Sequence, residues 1–412
     1  MPQIIVIGGG PAGLCAAIAA KESDPGASVL LLEKKDRVGK KILATGNGRC
    51  NLSNRDLSLS HFHGSAVALA EGVFGELTPE AVEAFWNRLG ILYREEEEGK
   101  LYPYSLQASS VLDALRFEAD RLGVRTLTET AAKSVERKAK GYTVSAKGPD
   151  GAVKYTADAV ILAVGGAASP KFGSEGDGNR IGRELGFSVI SFRPALCRLL
   201  VKSAELKGLG GYKSDARVKL LDAQGQEVEE QSGEVLFTAE GLSGPPVLRL
   251  SRSAGEMLGK KEHPTVSIDF FPEFSSGELF VILQKRFRDL SYRTVSEALN
   301  GLVHKKLIVP LIKRAGLAQA GSAASVSKKQ MSAMAAELKD WKYEIAELDG
   351  FDEAQVSVGG LSAENFTGDL EARKLPKFYV CGEALDLDGD CGGYNLSWAV
   401  ASGLYVGKRA AQ

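Results

Sequence analysis

The chain opens on a short run, Gln3–Ile7, apolar from Ile4 onward, which gives way at once to a glycine cluster and then to the alanine-rich segment 11–22. A short apolar run bounded by turn residues reads as a buried strand, and small residues spread around the following segment predict a helix packed closely on a sheet. A second apolar run, Ser28–Leu32, ends on Glu33. Strand, glycine turn, helix, strand and acidic residue make a βαβ unit, which implies a parallel sheet with right-handed crossovers.

Periodicity near 3.6 predicts a helix over 78–89, with Thr78 as its cap and Pro79 at its first position, and another over 109–122 that stops at Gly123. Strands are expected at 124–135, 141–146 and 153–157, with Pro149, Asp150 and Gly151 turning the last hairpin, and at 159–164, an apolar run closed by Gly165 and Gly166. Beyond Ser191 the pattern changes. Short strand-like runs at 199–201, 216–221, 234–238 and 265–271 are separated by polar turns, and 276–338 is helix-prone and rich in Lys, Arg, Ala and Leu. Segment 377–380 again reads as a buried strand, followed by a glycine-rich stretch and a helix over 395–409. The expected architecture is α/β: a parallel-sheet nucleotide domain of Rossmann type from 1–190 and 346–412, interrupted by a β-rich domain at 191–275 and a helical subdomain at 276–345 that together cover the cofactor.

Composition narrows the function. At 412 residues, 44% hydrophobic and 25% charged, the chain has the makings of two or three folded domains. Its 51 basic and 52 acidic residues leave a net charge of −1, so composition points to neither nucleic acid nor membrane as a partner, and a small molecule is expected. The opening residues lack a basic n-region, which predicts a cytoplasmic protein. Five cysteines without a C-x-x-C pair suit reduced thiols, and with four histidines no metal site is expected.

Gly8-Gly9-Gly10-Pro11-Ala12-Gly13 is a G-x-G-x-x-G between strand and helix, with Glu33 at the end of the next strand. Gly8 makes the tight turn, Gly10 admits a pyrophosphate, Gly13 permits close helix packing, and the helix N-terminus attracts the anion. Glu33 can accept from an adenosine ribose; Lys34 beside it and Ala132 farther along complete the adenosine side. This fingerprint alone does not separate NAD from FAD. Three further segments favour FAD: the strand 159–164 with its exit at Gly165 and Gly166; the run 377–383, in which Gly382 and Glu383 would meet the ribityl chain; and Gly392-Gly393-Tyr394-Asn395 at the start of the last helix, whose backbone N–H groups and dipole would face the flavin pyrimidine edge. Between Gly39 and Asn51 the chain is too small and polar for a regular element. It reads as a functional loop, with Lys40 and Lys41 near phosphates and Asn47, Gly48, Arg49, Cys50 and Asn51 near the ring or a substrate anion. Arg49, Cys50, Tyr394 and Asn395 are the candidate catalytic residues, Cys50 because the adjacent cation would lower its pKa.

The segments GKKILATGNGRCNLSN, LYPYSLQASSVLDAL, AVILAVGGAASPKFGSEGDG, GLSGPP, VSVGGLS and FYVCGEALDLDGDCGGYNLSWAVASG run in the order found in BaiN/YhiN-type NAD(P)/FAD-dependent oxidoreductases, and the chain resembles that family over its full length. The resemblance implies a two-part FAD domain and a reductase or oxidase role. Two positions depart from the family pattern: Gly99-Lys100-Leu101-Tyr102-Pro103 stands where Gly-Arg before an apolar-Phe-Pro stretch is common, and Asn47 where glycine is frequent. The expected reaction is hydride transfer from NAD(P)H, a transient co-substrate, through non-covalent FAD to a small organic acceptor or to oxygen. The alternatives are a non-catalytic flavin-binding protein with a sensing or accessory role, and an NAD-dependent dehydrogenase.

Overall fold

Ile4, Ile5, Val6 and Ile7 are all buried, so the strand Gln3–Ile7 has protein on both faces. It occupies the centre of a five-stranded sheet in the order Phe378–Val380, Ala159–Leu162, Gln3–Ile7, Ser28–Leu32, Arg125–Leu127. Every pairing is parallel, with Ile5 opposite both Val160 and Leu30, and Ile161 opposite Tyr379. A parallel sheet buried on both faces needs continuous apolar runs, which these segments supply. The computed structural model describes residues 2–412, which divide into two compact units: the first runs to Pro194 and resumes over Phe351–Gln412, and the second is Ala195–Gly350.

Within the first unit, the helices Pro11–Ser23 and Tyr394–Ala410 meet along small residues. A Cβ added at Gly403 would lie 2.3 Å from the Ala12 carbonyl oxygen, and one at Gly407 would lie 2.2 Å from that of Ala16. Only glycine permits that approach of backbone to backbone. The helix Pro79–Arg88 begins as its sequence indicates, with the Thr78 hydroxyl accepting from the Ala81 N–H.

The run 124–135 is not one strand. Arg125–Leu127 joins the parallel sheet, the chain breaks at Glu129 with a left-handed φ of 50°, and Ala131–Arg137 begins a separate antiparallel sheet with Tyr142–Gly148 and Gly151–Ala157. At the break, the Glu129 and Thr130 N–H groups donate to the Lys35 and Glu33 carbonyls, which ties this corner to the end of Ser28–Leu32.

The second unit is a closed barrel of six strands, in the order Leu199–Val201, Gly241–Ser243, Glu227–Phe237, Lys213–Leu221, Thr265–Asp269, Trp341–Leu348. Two features differ from the sequence expectation. Pro245–Gly259 is a 15-residue helix inside the stretch read as β-rich, started by Pro245 after Gly244 at φ 100°. The segment read as a helical subdomain shares one core with the barrel, Val218, Phe237 and Ile268 clustering with Leu279, Leu311 and Leu338, and the last part of that segment is itself a barrel strand. Arg314 lies in this unit, paired with Glu205 at 2.6 Å and Glu337 at 3.0 Å, its guanidinium 4.2 Å from the Trp341 ring centroid. Among the described residues no helix is long and apolar enough to cross a membrane.

Candidate functional site

The carboxyl ends of the parallel strands open on a cleft formed wholly by the first unit. Open α/β sheets bind ligands at this end because the helix N-termini converge there. Gly8 turns at φ 105°, and its N–H donates to the Leu32 carbonyl at 2.8 Å. A Cβ at Gly13 would lie 1.9 Å from the Gly8 carbonyl oxygen, so Gly13 packs the turn and does not line the cleft. A Cβ at Gly10 would meet nothing within 4 Å. Gly10, Pro11 and Ala12 border the cleft, where first-turn N–H groups have no intrahelical acceptor and carry the positive end of the dipole.

Glu33 is buried at the rim, one carboxylate oxygen accepting from the Gly9 N–H at 2.9 Å and the other from the Lys35 N–H at 2.7 Å. Burial raises its pKa, and those N–H bonds oppose the rise without cancelling it. Each oxygen keeps a second lone-pair direction for a sugar hydroxyl. Lys34 reaches Asp177 at 2.6 Å and Glu175 at 3.1 Å. Lys41 pairs with Glu383 at 3.0 Å, while the other Glu383 oxygen accepts from the Ser357 N–H at 2.7 Å and hydroxyl at 3.0 Å. Glu383 is thereby held in one orientation. Lys40 lines the cleft and pairs with Asp36.

Ala132, Gly165 and Gly382 also line the cleft. Gly166 stands behind its wall, where a Cβ would fall 2.0 Å from the Ser357 hydroxyl. Thr130, Lys133, Phe172, Ser174, Glu175 and Asp177 line it too and were not singled out from the sequence. The glycine-rich run containing Phe172 to Asp177 was the one signal for the last four.

Asn47, Gly48, Arg49, Cys50, Asn51, Gly392, Gly393, Tyr394 and Asn395 lie outside this cleft. Gly46 and Asn47 are both left-handed, at φ 54° and 55°, a conformation that asparagine tolerates better than most residues. The side chain at 47 therefore preserves the turn that glycine would make. A Cβ at Gly393 would lie 2.4 Å from the Ser53 carbonyl oxygen and 2.8 Å from Asn51 Oδ1, which is buried without a hydrogen-bond partner. Asn54 Nδ2 donates to the Gly392 carbonyl at 3.0 Å.

The expectation that the adjacent cation lowers the Cys50 pKa is corrected here. Cys50 is fully buried and its thiol is pushed up to about 11 by that burial, while the Arg49 guanidinium pairs with Glu96 at 3.2 Å and lies 4.5 Å over the Tyr102 ring. The neighbouring cation does not activate the thiol. Asn395 Oδ1 accepts from the Gly389 N–H at 2.8 Å and its Nδ2 donates to the Gly389 carbonyl at 2.7 Å, so its amide fastens the loop. Tyr394 is buried, stacked on His61 at 4.4 Å and edge-on to Phe62 at 5.8 Å.

Burial also pushes the Cys197 thiol up to about 12 and those of Cys15 and Cys381 upward, leaving Cys391 as the one partly exposed cysteine. Native protein treated with N-ethylmaleimide is expected to gain a single adduct at Cys391, read by mass spectrometry, with the other four cysteines reacting only after denaturation.

Taken residue by residue, the cleft fits an adenine dinucleotide. The Glu33 carboxylate borders it, open space lies at Gly10 beside the helix N-terminus, and the Lys41–Glu383 pair also lines it.

Among curated proteins, the chain is 37% identical to a 3-dehydro-bile acid delta(4,6)-reductase of Clostridium scindens, with 100% of both chains covered. It is 28% identical to a ribosomal RNA dihydrouridine synthase of Escherichia coli, over 97% of this chain and 95% of that one. Among solved structures, the 3-ketosteroid delta1-dehydrogenase from Sterolibacterium denitrificans, in complex with 1,4-androstadiene-3,17-dione, is similar in fold at a TM-score of 0.54, with 13% identity and 100% of both chains covered. The model of the HI0933-like protein Rossmann domain matches residues 2–409, and the chain belongs to that family.

Proposed function

We propose that this protein is an FAD-dependent reductase that takes a hydride from NAD(P)H and adds hydrogen across a carbon–carbon double bond conjugated to a carbonyl in a small apolar substrate. The observation that carries the reading is the lining of the cleft: Glu33, the open position at Gly10, Lys41 and Glu383 all border one cleft at the carboxyl ends of the parallel strands. The full-length likeness to a 3-dehydro-bile acid delta(4,6)-reductase supports the acceptor class, since that name describes hydrogenation of an enone. When bound, FAD would accept two electrons from a nicotinamide and pass them as hydride to the acceptor.

The residues of the chain then have distinct tasks. Glu33 would hold the adenosine ribose through hydroxyl hydrogen bonds. Gly10 leaves space for the pyrophosphate, and the N-terminus of Pro11–Ser23 stabilises its charge. Lys41, now neutralised by Glu383, is within reach of the same phosphates and would exchange one anionic partner for another. Glu383, fixed by Ser357, would accept from the ribityl hydroxyls. Cys381 and Ala399 line the wall beyond and exclude water there.

The visible spectrum of the purified protein tests the reading. We expect a flavin spectrum that bleaches on anaerobic addition of NADH or NADPH and returns when a bile-acid 4-en-3-one is added. A flavin that neither nicotinamide reduces favours the accessory-protein alternative. A protein that stays colourless after incubation with FAD overturns the proposal.

A further inference from the structure

Five cations fall within 34–41, and four of them are paired: Lys34 with Glu175 and Asp177, Lys35 with Glu175, Lys40 with Asp36, and Lys41 with Glu383. The fifth, Arg37, has no ion pair or hydrogen bond among the described residues. It is exposed, and it borders a second concavity together with Lys40, Leu43, Ala44, Lys171 and Phe172. Lys171 is likewise without an acidic partner, its ammonium 5.3 Å from the centroid of the Phe172 ring. Lys40 and Phe172 also line the dinucleotide cleft, so the two openings share a wall. Backbone turns hold both sides in place. The Ile42 and Ala44 N–H groups donate to the Gly39 and Lys41 carbonyls at 2.9 and 3.1 Å, and those of Phe172 and Gly173 donate to the Ser169 and Pro170 carbonyls at 2.9 Å each. No acidic side chain borders this concavity. Like charges around one hollow repel, and an anion bound among them removes that cost.

We propose that this concavity binds the 2′-phosphate of NADPH and so makes NADPH, not NADH, the electron donor. The inference rests on the flavin reductase reading above and names its donor. The Gly8–Gly13 turn and Glu33 serve one dinucleotide, the FAD, so a second must be held by side chains. The Arg37 guanidinium offers a planar fork to phosphate oxygens, and Lys40 and Lys171 add point charges. A phosphate monoester carries about 1.5 to 2 negative charges at pH 7, which matches the two unpaired cations. The 2′-hydroxyl of NADH leaves both unmatched. Leu43 and the partly exposed Phe172 ring give the adenine an apolar surface. Binding against the shared wall sets the donor beside the FAD cleft, and the exposure of Arg37 and Lys171 lets it leave after each turnover.

The test follows flavin reduction in anaerobic, flavin-loaded protein at increasing NADPH or NADH. Wild-type protein is expected to prefer NADPH. Replacing both unpaired cations, Arg37→Ala with Lys171→Ala, should raise the NADPH concentration for half-maximal reduction about 10- to 100-fold. The value for NADH should move less than about threefold, since it lacks the phosphate those side chains meet. Lys40 is left in place because it also lines the FAD cleft. Adenosine 2′,5′-bisphosphate, which carries no hydride, should bind the wild-type holoprotein in a calorimetric titration, more weakly as salt rises, and should not bind the double variant. Adenosine 5′-monophosphate should bind neither. An unchanged NADPH value in the double variant, or equal losses for NADPH and NADH, overturns the subsite and leaves the reductase reading standing. A variant that keeps NADPH but needs more of a bile-acid 4-en-3-one bearing a carboxylate also overturns it, because the cations then serve the acceptor. Flavin that neither nicotinamide reduces overturns the reductase reading together with this inference.

Discussion

Gly10→Glu is expected to purify as a folded, colourless protein. The backbone at Gly10, φ −76° and ψ −175°, suits any residue, and a Cβ there meets no protein atom within 4 Å. The new side chain therefore starts into the cleft without a clash at its base. At the N-cap of Pro11–Ser23 it also gains about 0.3–1 kcal/mol from the helix dipole, so the apoprotein should melt at or slightly above the wild-type temperature. The same carboxylate stands where two phosphates would lie. FAD affinity is expected to fall at least 100-fold, about 2.7 kcal/mol, in a fluorescence titration. Gly13→Ala is the contrasting case. Its methyl would fall 1.9 Å from the Gly8 carbonyl oxygen, and the variant should lose about 1–3 kcal/mol of stability whether or not cofactor is present. Wild-type FAD affinity in Gly10→Glu would place the dinucleotide somewhere other than this cleft.

Arg314→Met should destabilise the second unit by about 3 kcal/mol at pH 7, measured by urea denaturation followed through tryptophan fluorescence. Methionine preserves the volume over Trp341 but leaves Glu205, about one-fifth exposed, without its cation. Burial pushes the Glu205 carboxyl up, but hydrogen bonds from Arg314, Tyr343 and Trp341 outweigh it and hold the group below its ordinary value. A carboxylate whose folded pKa is depressed stabilises the protein above its unfolded pKa, near 4.3, and loses that contribution as the pH falls through the folded value. The gap between wild type and Arg314→Met should therefore be widest at neutral pH and narrow below about pH 4. A gap that persists unchanged at pH 3 would mean that packing, not charge, sets the loss.

What the sequence disclosed and what it withheld divide along the range of the interactions. The turn at Gly8, the close approach at Gly13 and the reach of Glu33 are local consequences of backbone geometry, and each was legible in the residues themselves. Lys34 finds Asp177 across 143 positions and Glu383 finds Ser357 across 26, and no local pattern encodes either meeting. Cys50 misled for a related reason. Adjacency to Arg49 is visible in the sequence, but the left-handed backbone at Cys50, φ 61°, turns thiol and guanidinium into different surroundings. Trp341–Leu348 has the inward alternation of Trp341, Tyr343 and Ile345 that marks a strand. That signal was overridden by the helical character of the preceding residues, and with it went the closure of the barrel. Pro245–Gly259 was lost because Gly244, Pro245 and Pro246 signal a turn before they signal a helix start.

The interrupted layout of the first unit sets an order on the ribosome. Ala195–Gly350 is continuous in sequence, so every strand of its barrel has been synthesised before Phe378–Val380, which the central sheet needs, and Tyr394–Ala410, which its first helix needs, exist. At about 5–20 residues per second the earlier strands wait roughly 10–75 seconds with apolar faces uncovered. The barrel can be complete while the nucleotide cleft still lacks Gly382 and Glu383. Cofactor capture is consequently a late event in biogenesis, and the nascent chain is most dependent on chaperones during that interval.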